Sequence, residues 1–474
     1  MTRTFDRLFV GGDWRAPVSG DRLDIASPHD GSPVGSAPSA GAADINVAVE
    51  AARTAFDEGP WPRMGVAERI AALRPFVDSY EKIIATMGRL VTAEMGTPKW
   101  FAELVHGVGP HLLASSTLDF AASYAWEERR GGSLLRREPV GVVGAITPWN
   151  VPQVTIMSKL MPALVVGCTV IVKPAPETPL DAMLLATLLA EADLPPGVAA
   201  VVPGGTAAGR ALVQHAGVDK ISFTGSADVG RWIARECADR LARCTLELGG
   251  KSAAIICPDA SLDETIEGLK FAAYLNSGEA CVAQTRVLAP RSNYAQVAAG
   301  LTKMVDSLVT GDPQRDETYI GPLVSARHRA RVHAYLEIGV AEGATVAAGG
   351  PGRVAGTTGH YVRPTLFTDV SNDMRIAREE IFGPVVAVIP YDDTDDAVRI
   401  ANDSQYGLAG SVWTADRQAG LEIARRIRTG TFGINAYAPE FGVPFGGFKA
   451  SGIGREYGPE SLEAYAEVKS IYGV

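Results

Sequence analysis

The chain has 474 residues, of which 46% are hydrophobic and 21% are charged, so it can bury the cores of about three domains. This composition excludes an intrinsically disordered chain, which would be poorer in apolar residues. The formal net charge of −10 argues against a surface that binds nucleic acids or anionic membranes.

The first quarter of the chain predicts short strands, turns and helices. Residues 1–60 are rich in Gly, Pro, Ser and Asp and contain a helix near Ile45 to Phe56, and the apolar spacing from Ala67 to Met95 predicts one further helix. The first seven residues lead into no long apolar run, so no secretory signal is expected. No uninterrupted apolar run approaches the roughly 18 residues that span a bilayer, and we expect a soluble cytoplasmic protein.

The segment from Ala121 to Arg137 predicts a β-hairpin. It has a charged cluster at 127–130, a Gly131-Gly132 turn and apolar residues on either side. It is either a plain surface hairpin or an assembly arm, and the residues do not decide between the two. The tail from Ala464 to Val474 alternates like a strand and is expected to pair with this hairpin.

From residue 140 onward, short apolar runs alternate with helical segments in two series. The first series predicts strands at 140–146, 169–172, 198–202 and 220–223, with helices at 181–191, 207–215 and 229–241. The second predicts strands near 253–257, 287–289, 385–390, 411–414 and 431–434. Such alternation is typical of right-handed crossovers and parallel, doubly wound sheets, so we predict two α/β domains in tandem.

Three stretches follow strands of the first series, at the edge where such sheets bind nucleotides. Thr147-Pro148-Trp149-Asn150 is a turn whose asparagine amide can donate to a developing oxyanion. Lys173 begins a proline-rich loop and is either a crevice lysine or a surface lysine. The run from Phe223 to Gly230 offers backbone N–H groups to a phosphate, although strand–glycine–helix turns are common.

Two residues stand out as a nucleophile and a base. Cys281 follows Gly278 between a predicted helix and a predicted strand, and Glu247 is a carboxylate in an apolar run that ends at Gly249. A thiol and a carboxylate presented from tight backbone indicate covalent catalysis. The alternatives are a small buried cysteine and a strand glutamate that faces solvent.

Other patterns are less specific. The run from Gly249 to Ser252 resembles a P-loop, but Thr245 stands where the first glycine is required. The histidine spacings and the five cysteines, which include no Cys-x-x-Cys, predict no metal site and fit reduced thiols. The segment Glu379 to Pro384 is either a helix end followed by a turn or a segment that holds a ribose or flanks a ring. Gly452 to Glu456 is either a flexible loop or an active-site wall.

Taken together and in this order, these stretches resemble the aldehyde dehydrogenase superfamily. They are TPWN at 147–150, KPAPETP at 173–179, FTGS at 223–226, LELGGKS at 246–252, GEAC at 278–281, EEIFGPV at 379–385 and PFGGFKASGIGRE at 444–456. Each is weak alone, but seven in one order over nearly the whole chain are specific. The resemblance implies an α/β fold with a Rossmann-like cofactor domain (1–120 and 139–249), a second α/β catalytic domain (250–448), and a small β oligomerisation arm with the tail (121–138 and 449–474).

The resemblance also implies an activity, the oxidation of a small-molecule aldehyde to its acid. Cys281 would attack the aldehyde, Asn150 would hold the oxyanion, and Glu247 would activate the water that hydrolyses the thioester. Lys159 and Glu456 match family positions near this water. A coenzyme A-acylating dehydrogenase is one alternative, against which Glu247 argues, and a cofactor-free cysteine acyl hydrolase or a non-catalytic scaffold is another.

NAD is the expected cofactor, with NADP possible. Many relatives that prefer NAD have glutamate at the position of Pro176, and proline can neither bind ribose hydroxyls nor repel a 2′-phosphate; the lack of an added basic residue beside Lys173 favours NAD. The resemblance places the cofactor against Ile146, Thr147, Pro148, Trp149, Lys173, Ala175, Pro176, Gly204, Gly209, Phe223, Thr224, Gly225, Ser226, Val229, Leu248, Gly249, Glu380 and Phe382.

Substrate size and assembly are also implied by comparison with that family. Val151 and Ser158 stand where relatives that act on small aliphatic aldehydes carry bulky aromatics, which predicts a wider tunnel and a larger or more polar aldehyde. Arg243, Arg455 and Glu467 match charged positions near a subunit contact, which predicts a homodimer or homotetramer.

Overall fold

The computed structural model describes residues 3–18 and 20–474. Their strands form an eight-stranded sheet, a seven-stranded sheet, two three-stranded sheets and a two-stranded ribbon. In chain order the strands are β1 (Arg3–Thr4), β2 (Leu8–Val10), β3 (Asp13–Arg15), β4 (Arg22–Ala26), β5 (Pro33–Pro38), β6 (Glu127–Arg130), β7 (Ser133–Pro139), β8 (Val142–Ile146), β9 (Thr169–Lys173), β10 (Ala199–Val201), β11 (Lys220–Thr224), β12 (Arg243–Glu247), β13 (Ala253–Ile256), β14 (Arg286–Pro290), β15 (Thr345–Ala348), β16 (Thr365–Thr368), β17 (Val385–Tyr391), β18 (Tyr406–Gly407), β19 (Gly410–Trp413), β20 (Gly433–Ile434), β21 (Phe448–Lys449), β22 (Gly452–Ile453) and β23 (Ala466–Tyr472).

Helices connect most of the parallel strands. They are α1 (Ala42–Asp57), α2 (Val66–Glu81), α3 (Ile84–Met95), α4 (Lys99–Phe101), α5 (Gly109–Ser123), α6 (Pro152–Val166), α7 (Pro179–Glu191), α8 (Thr206–Gln214), α9 (Ala227–Asp239), α10 (Leu262–Tyr274), α11 (Tyr294–Asp306), α12 (Ala326–Ala341), α13 (Arg375–Arg378), α14 (Thr394–Asn402), α15 (Arg417–Arg426) and α16 (Glu460–Glu463). A π-helical segment, Ala102–Val108, joins α4 to α5 without a break, and short 3₁₀ turns lie at Trp61–Arg63 and Leu275–Gly278.

The eight-stranded sheet has the order β22-β12-β11-β8-β9-β10-β2-β3. Its central strands, from β12 to β10, are parallel, and the edges are antiparallel. Successive residues of β8 enter apolar clusters on opposite faces, with Val143 packing on one side and Val142 on the other. Both faces are therefore covered, which explains why these strands are continuously apolar, as parallel sheets require.

The seven-stranded sheet has the order β15-β16-β17-β14-β13-β19-β20 and is parallel except for β15. It too is buried on both faces, with Val287 in one apolar cluster and Leu288 in the other. The predicted alternation of strands and helices is thus confirmed in both halves. The carboxyl ends of the central strands of the first sheet are where the chain places TPWN, Lys173 and FTGS.

The third notable sheet pairs β23 with β7 and β7 with β6, so the predicted pairing of the tail with the charged hairpin is confirmed. The hairpin itself begins later than predicted. Residues up to Ser123 continue α5, because Leu113, Leu118 and Ala121 extend an apolar face that is fully buried, and the first strand starts at Glu127.

Two other elements differ from the sequence prediction. The helix predicted from Ala67 to Met95 is broken after Glu81, where the N–H of Ile83 donates to the carbonyl of Tyr80 and the chain restarts as α3. The strand predicted at 431–434 is reduced to Gly433–Ile434. In the described ranges, 3–18 and 20–474, we find no helix with the length and hydropathy needed to cross a membrane.

Candidate active site

Three consecutive left-handed residues precede Cys281. Asn276, Ser277 and Gly278 have φ values of 49°, 57° and 74°, so the chain leaves α10 through a tight turn. A Cβ on Gly278 would lie 2.2 Å from the carbonyl carbon of Gly383, so only glycine fits there. The turn ends a helix and delivers Cys281 to the wall of a cavity of about 870 Å³.

Asn150 is fastened to this turn from the first sheet. Its Nδ2 donates to the carbonyl of Glu279 over 2.9 Å, and its own carbonyl accepts from Nδ2 of Asn276 over 3.0 Å. Asn276 also donates to the carbonyl of Glu279, so both asparagine amides hold the backbone just before Cys281 in place. An amide nitrogen carries two hydrogens, and the second one of Asn150 remains for a ligand at the cavity wall.

The Cys281 thiol is protonated at rest. Burial raises its pKa to about 12, the carboxylates of Glu380 and Glu247 add to the shift, and nearby backbone N–H groups oppose it. A thiolate is the nucleophilic form. The thiol therefore needs a base or a nearby cationic ligand before it can attack, and Glu247 lies on the same cavity.

Glu247 ends β12 and is only 3% exposed, yet neither carboxylate oxygen has a hydrogen bond from a described residue. Burial raises its pKa well above the usual value, and the neighbouring Glu456 raises it further, against opposing effects of Lys159 and Arg455. A Cβ on Gly446 would lie 2.7 Å from Oε1 of Glu247, so glycine leaves the space that this carboxylate occupies. An unpaired carboxylate with a raised pKa is suited to accept and release protons.

Glu456 lies beside Glu247 in a different environment. It forms a buried ion pair with Lys159, and the Ser158 hydroxyl lies 2.7 Å from its Oε2. Lys159 also donates to Oγ1 of Thr224 over 2.7 Å. Glu456 and Thr224 line the cavity, whereas Lys159 does not and contacts the site through these two residues.

The crevice at the strand ends of the first sheet opens into the same cavity. The predicted cofactor residues that line it are Pro148, Trp149, Thr224, Gly225, Ser226, Leu248, Gly249, Glu380 and Phe382. Across the crevice, Oε1 of Glu380 accepts from the N–H of Gly250 over 3.0 Å, and a Cβ on Gly249 would lie 2.2 Å from Oε2. Gly249 and Gly250 therefore leave space beside the Glu380 carboxylate, which can accept hydrogen bonds from the two hydroxyl groups of a ribose.

The other predicted cofactor residues lie at or beyond the edge of this cavity. Lys173 is buried at the end of β9, with Nζ 2.8 Å from the carbonyl of Pro174, and Gly209 packs against its side chain. Val229 is exposed on α9. The predicted residues that do not line the cavity are Ile146, Thr147, Lys173, Ala175, Pro176, Gly204, Gly209, Phe223 and Val229. Pro176 therefore does not line the cavity, whereas the next residue, Glu177, does.

Aromatic rings cover one side of the crevice. Trp149 makes edge contacts with His328 and Phe382, at centroid distances of 5.4 and 5.5 Å. Nε2 of His328 donates to the carbonyl of Phe382 over 2.6 Å, and burial lowers the pKa of His328 to about 4, so the ring is neutral. His328 was not among the predicted site residues, because neither its spacing from His333 nor its place on a charged helix indicates a role.

The cavity continues past Cys281 into an apolar tunnel. Leu104, Val108 and Leu112 follow one another at helical spacing across the π-helical segment and are 54%, 37% and 49% exposed at its mouth. The remaining apolar lining comes from Phe101, Val105, Gly109, Val151, Val154, Phe271, Leu275, Val282, Tyr437, Ala438, Pro439, Phe441, Phe445 and Tyr457. The sequence singled out only Val151 among these, because the others come from four distant segments.

The tunnel differs from the sequence prediction in two respects. Ser158 does not line it, because this side chain is buried and turned toward Glu456. The tunnel is also apolar, so a more polar aldehyde is not favoured. Of the three charged residues matched to a subunit contact, Arg243 and Glu467 form an ion pair of 2.6 Å, whereas Arg455 donates to the carbonyls of Gly447 and Gly454.

Comparison with known proteins gives a consistent result. The model of the aldehyde dehydrogenase family matches residues 14–471. Geranial dehydrogenase from Castellaniella defragrans is 45% identical, covering 100% of this chain and 99% of that protein. The crystal structure of a Mycobacterium tuberculosis aldehyde dehydrogenase complexed with NAD+ is 47% identical with a TM-score of 0.98, covering 100% and 99% of the two chains. A mutant of aldehyde dehydrogenase C from Pseudomonas syringae, complexed with NAD+ and octanal, is 38% identical with a TM-score of 0.96, covering 100% and 98%.

Proposed function

The chain belongs to the aldehyde dehydrogenase family, and on that premise we propose that Cys281 is its nucleophile and Glu247 its general base. It is an NAD(P)-dependent oxidoreductase that converts aldehydes to carboxylic acids. One observation carries the assignment of residues: a thiol, a free amide hydrogen and an unpaired buried carboxylate line the same cavity.

The residues act in a fixed order. Glu247 takes the thiol proton, and the Cys281 sulfur bonds to the aldehyde carbon while the Asn150 amide donates to the oxyanion. The bound dinucleotide supplies the hydride acceptor. Glu247 releases the thiol proton to solvent, and loss of hydride leaves a thioester on Cys281. Glu247 then takes a proton from water as the hydroxide adds to the thioester carbon, and this proton passes to the departing Cys281 sulfur, which releases the acid and regenerates the thiol. The presence of this base favours hydrolysis over acyl transfer to coenzyme A.

The nucleophile is tested by Cys281→Ala, with Cys257→Ala as the matched control. Cys257 is buried in the second sheet and does not line the cavity. We expect Cys281→Ala to abolish NADH formation while NAD+ still binds in a calorimetric titration, and Cys257→Ala to retain activity. Steady turnover by Cys281→Ala would falsify the assignment, and ester cleavage that needs no dinucleotide would favour a hydrolase instead.

We also propose that the substrate is a large, apolar aldehyde. No charged side chain lines the tunnel between its mouth and Cys281, and Val151 leaves the passage wide. Two similar proteins point the same way, since one is named for geranial and another was solved with octanal. Each methylene that is buried adds about 0.8 kcal/mol, so kcat/KM should rise several-fold per added carbon until the chain passes the mouth.

Straight-chain aldehydes from propanal to dodecanal test this substrate class. Leu112→Ser at the mouth should lower kcat/KM for the long aldehydes by a few-fold and leave propanal unchanged. Leu421→Ser is the control, because Leu421 is exposed on α15 and away from the cavity. An equal loss on propanal and dodecanal would contradict tail binding at the mouth.

A homo-oligomer and a cytoplasmic location are further proposals. The arm formed by β6, β7 and β23 exposes Val468 and Tyr472, which supports burial of this surface in a homodimer or homotetramer. The five cysteines are free thiols, as expected in a reducing compartment. Sedimentation velocity on the full chain, compared with Tyr472→Asp, tests the arm contact.

A further inference from the structure

Two of the five cysteines, Cys237 and Cys244, lie together outside the cavity that Cys281 lines. Cys237 lies in the last turn of α9, and Cys244 is the second residue of β12. Between them the chain reverses at Leu241, which has a φ of 57°, and the N–H of Ala242 donates to the carbonyl of Cys237 over 2.9 Å. This turn holds the start of β12 against the end of α9.

The two thiols meet on one face of the first sheet. Successive side chains of a strand point to opposite faces, and on one of these faces Thr245 accepts a hydrogen bond from the buried Lys220. Cys244 points to the other face, where it packs against the same apolar cluster as Cys237. The Cys237 thiol donates a hydrogen bond to the Cys244 sulfur. Cys237 is buried and Cys244 is partly exposed, so a small molecule from solvent meets Cys244 first.

The acidity of Cys244 differs from that of the other thiols. The hydrogen bond from Cys237 lowers the pKa of Cys244, although burial opposes this. Burial instead raises the pKa of Cys168 and Cys257 to about 11 and that of Cys281 to about 12. A thiolate is the nucleophilic form, and a cysteine that reacts with oxidants combines a low pKa with solvent access and a second cysteine nearby. Among the five cysteines, all of which lie in the described residues, Cys244 alone meets these conditions.

We propose that Cys237 and Cys244 form a modification site at which a hydroperoxide closes a reversible disulfide. With hydrogen peroxide, the Cys244 thiolate bonds to one oxygen, the O–O bond breaks, and the hydroxide that leaves takes a proton from solvent. The Cys237 thiol then loses its proton and attacks the sulfenic acid sulfur of Cys244, and the second hydroxide leaves with that proton as water. The two thiols supply two electrons, and one peroxide yields two waters.

Peptide mapping of the full chain tests this assignment. The wild type is treated with one equivalent of hydrogen peroxide, its free thiols are blocked with iodoacetamide, and it is digested with trypsin without a reducing agent. Trypsin cuts after Arg240 and Arg243, so the two cysteines fall in separate peptides, 236–240 and 244–251. We expect a linked pair of these peptides, lighter than their sum by two hydrogen masses, which dithiothreitol separates.

Single variants separate the roles of the two thiols. Cys244→Ser should lose the linked pair and leave Cys237 unoxidised, whereas Cys237→Ser should leave a Cys244 sulfenic acid that dimedone labels. Cys257→Ala is the matched control, because Cys257 is a buried thiol of the second sheet, and it should retain the linked pair. The pair should also form in Cys281→Ala, so the result does not depend on the proposed nucleophile.

Three outcomes would overturn the inference. The first is a wild type in which peroxide oxidises other thiols while both peptides carry only iodoacetamide. The second is a linked pair that forms only after the chain is unfolded in urea, or only when Cys281 is present. The third is dimedone labelling of Cys237 in Cys244→Ser with no labelling of Cys244 in Cys237→Ser, which would remove Cys244 as the thiol that meets the peroxide.

Discussion

Two carboxylates stand side by side in the cavity, and their hydrogen-bonding partners differ. Glu247, at the end of β12, has no partner for either oxygen, whereas Glu456 pairs with the buried Lys159 and with Ser158. Both are about equally buried. The comparison teaches that burial alone does not set the role of a carboxylate: Glu456 is held by its partners, whereas both oxygens of Glu247 remain open to a ligand or to water, as the proposed base requires.

The largest loss of activity should follow from removing the unpaired carboxylate, Glu247. Glu247→Gln keeps the shape of the side chain but cannot accept a proton from water, so the thioester should persist. General-base catalysis contributes 10²–10⁴-fold, and we expect steady-state kcat to fall at least about 100-fold. Rapid mixing should record at most one NADH per active site, and that NADH should form more slowly than in the wild type because Glu247 also takes the thiol proton. A normal steady state would assign the water-activating role to another group.

Removing the Lys159 charge that pairs with Glu456 should lower the free energy of unfolding. In Lys159→Met, Glu456 keeps a buried charge with no partner, and breaking such a pair costs about 3–5 kcal/mol. Urea unfolding of the variant and of the wild type measures the difference. Lys82→Met, at an exposed helix end, is the control and should change little.

The pH dependence of Glu247 gives a third test. Burial raises its pKa first, Glu456 raises it further, and Lys159 lowers it. Glu456→Gln removes the repulsion and leaves the lysine charge unopposed, so the pKa of Glu247 should fall and the rise of kcat with pH should move to lower pH. Lys159→Met should move it to higher pH. Shifts in the same direction would mean that the two groups do not act on Glu247 through charge; Glu460→Gln, exposed nearby, should leave the profile unchanged.

The smallest effect is expected for Ser158→Ala. It removes one hydrogen-bonding group from Glu456 and leaves the ion pair with Lys159, so the free energy of unfolding should fall by about 1–2 kcal/mol. The chain-length preference for aldehydes should not change, because Ser158 does not line the tunnel. A new preference for bulkier aldehydes in the kcat/KM panel would restore Ser158 to the tunnel wall.

Much of this arrangement follows from local sequence patterns. The alternation of apolar runs and helices predicted both sheets, and Cys281, Glu247 and Asn150 were predicted from glycines and strand ends, which are local signals. The residue roles remain predictions. The turn at 276–278 shows why the local signal works: three left-handed residues leave a mark in the sequence, a glycine with polar neighbours.

Other features depend on contacts that no local pattern records. The tunnel is assembled from segments near 101–112, 151–154, 271–282 and 437–457, and only the fold brings them together. Ser158 was assigned to the tunnel by its position, but the rotation of α6 turns it toward Glu456. Likewise, Glu177 rather than Pro176 lines the cavity because of the path of one loop, which sequence spacing alone cannot predict.

Strand β22 has a consequence for the enzyme as a whole. Gly452 and Ile453 are paired with Glu247 and Leu246 at the edge of the first sheet, and the same run continues through Glu456 to β23 in the arm. The final 23 residues therefore pair with the strand that carries Glu247, supply Glu456, and then form the outer strand of the arm. The same segment also supplies Leu462 and Tyr465 to the apolar core, so loss of the carboxyl-terminal residues should disturb both the core and the positions of the two carboxylates.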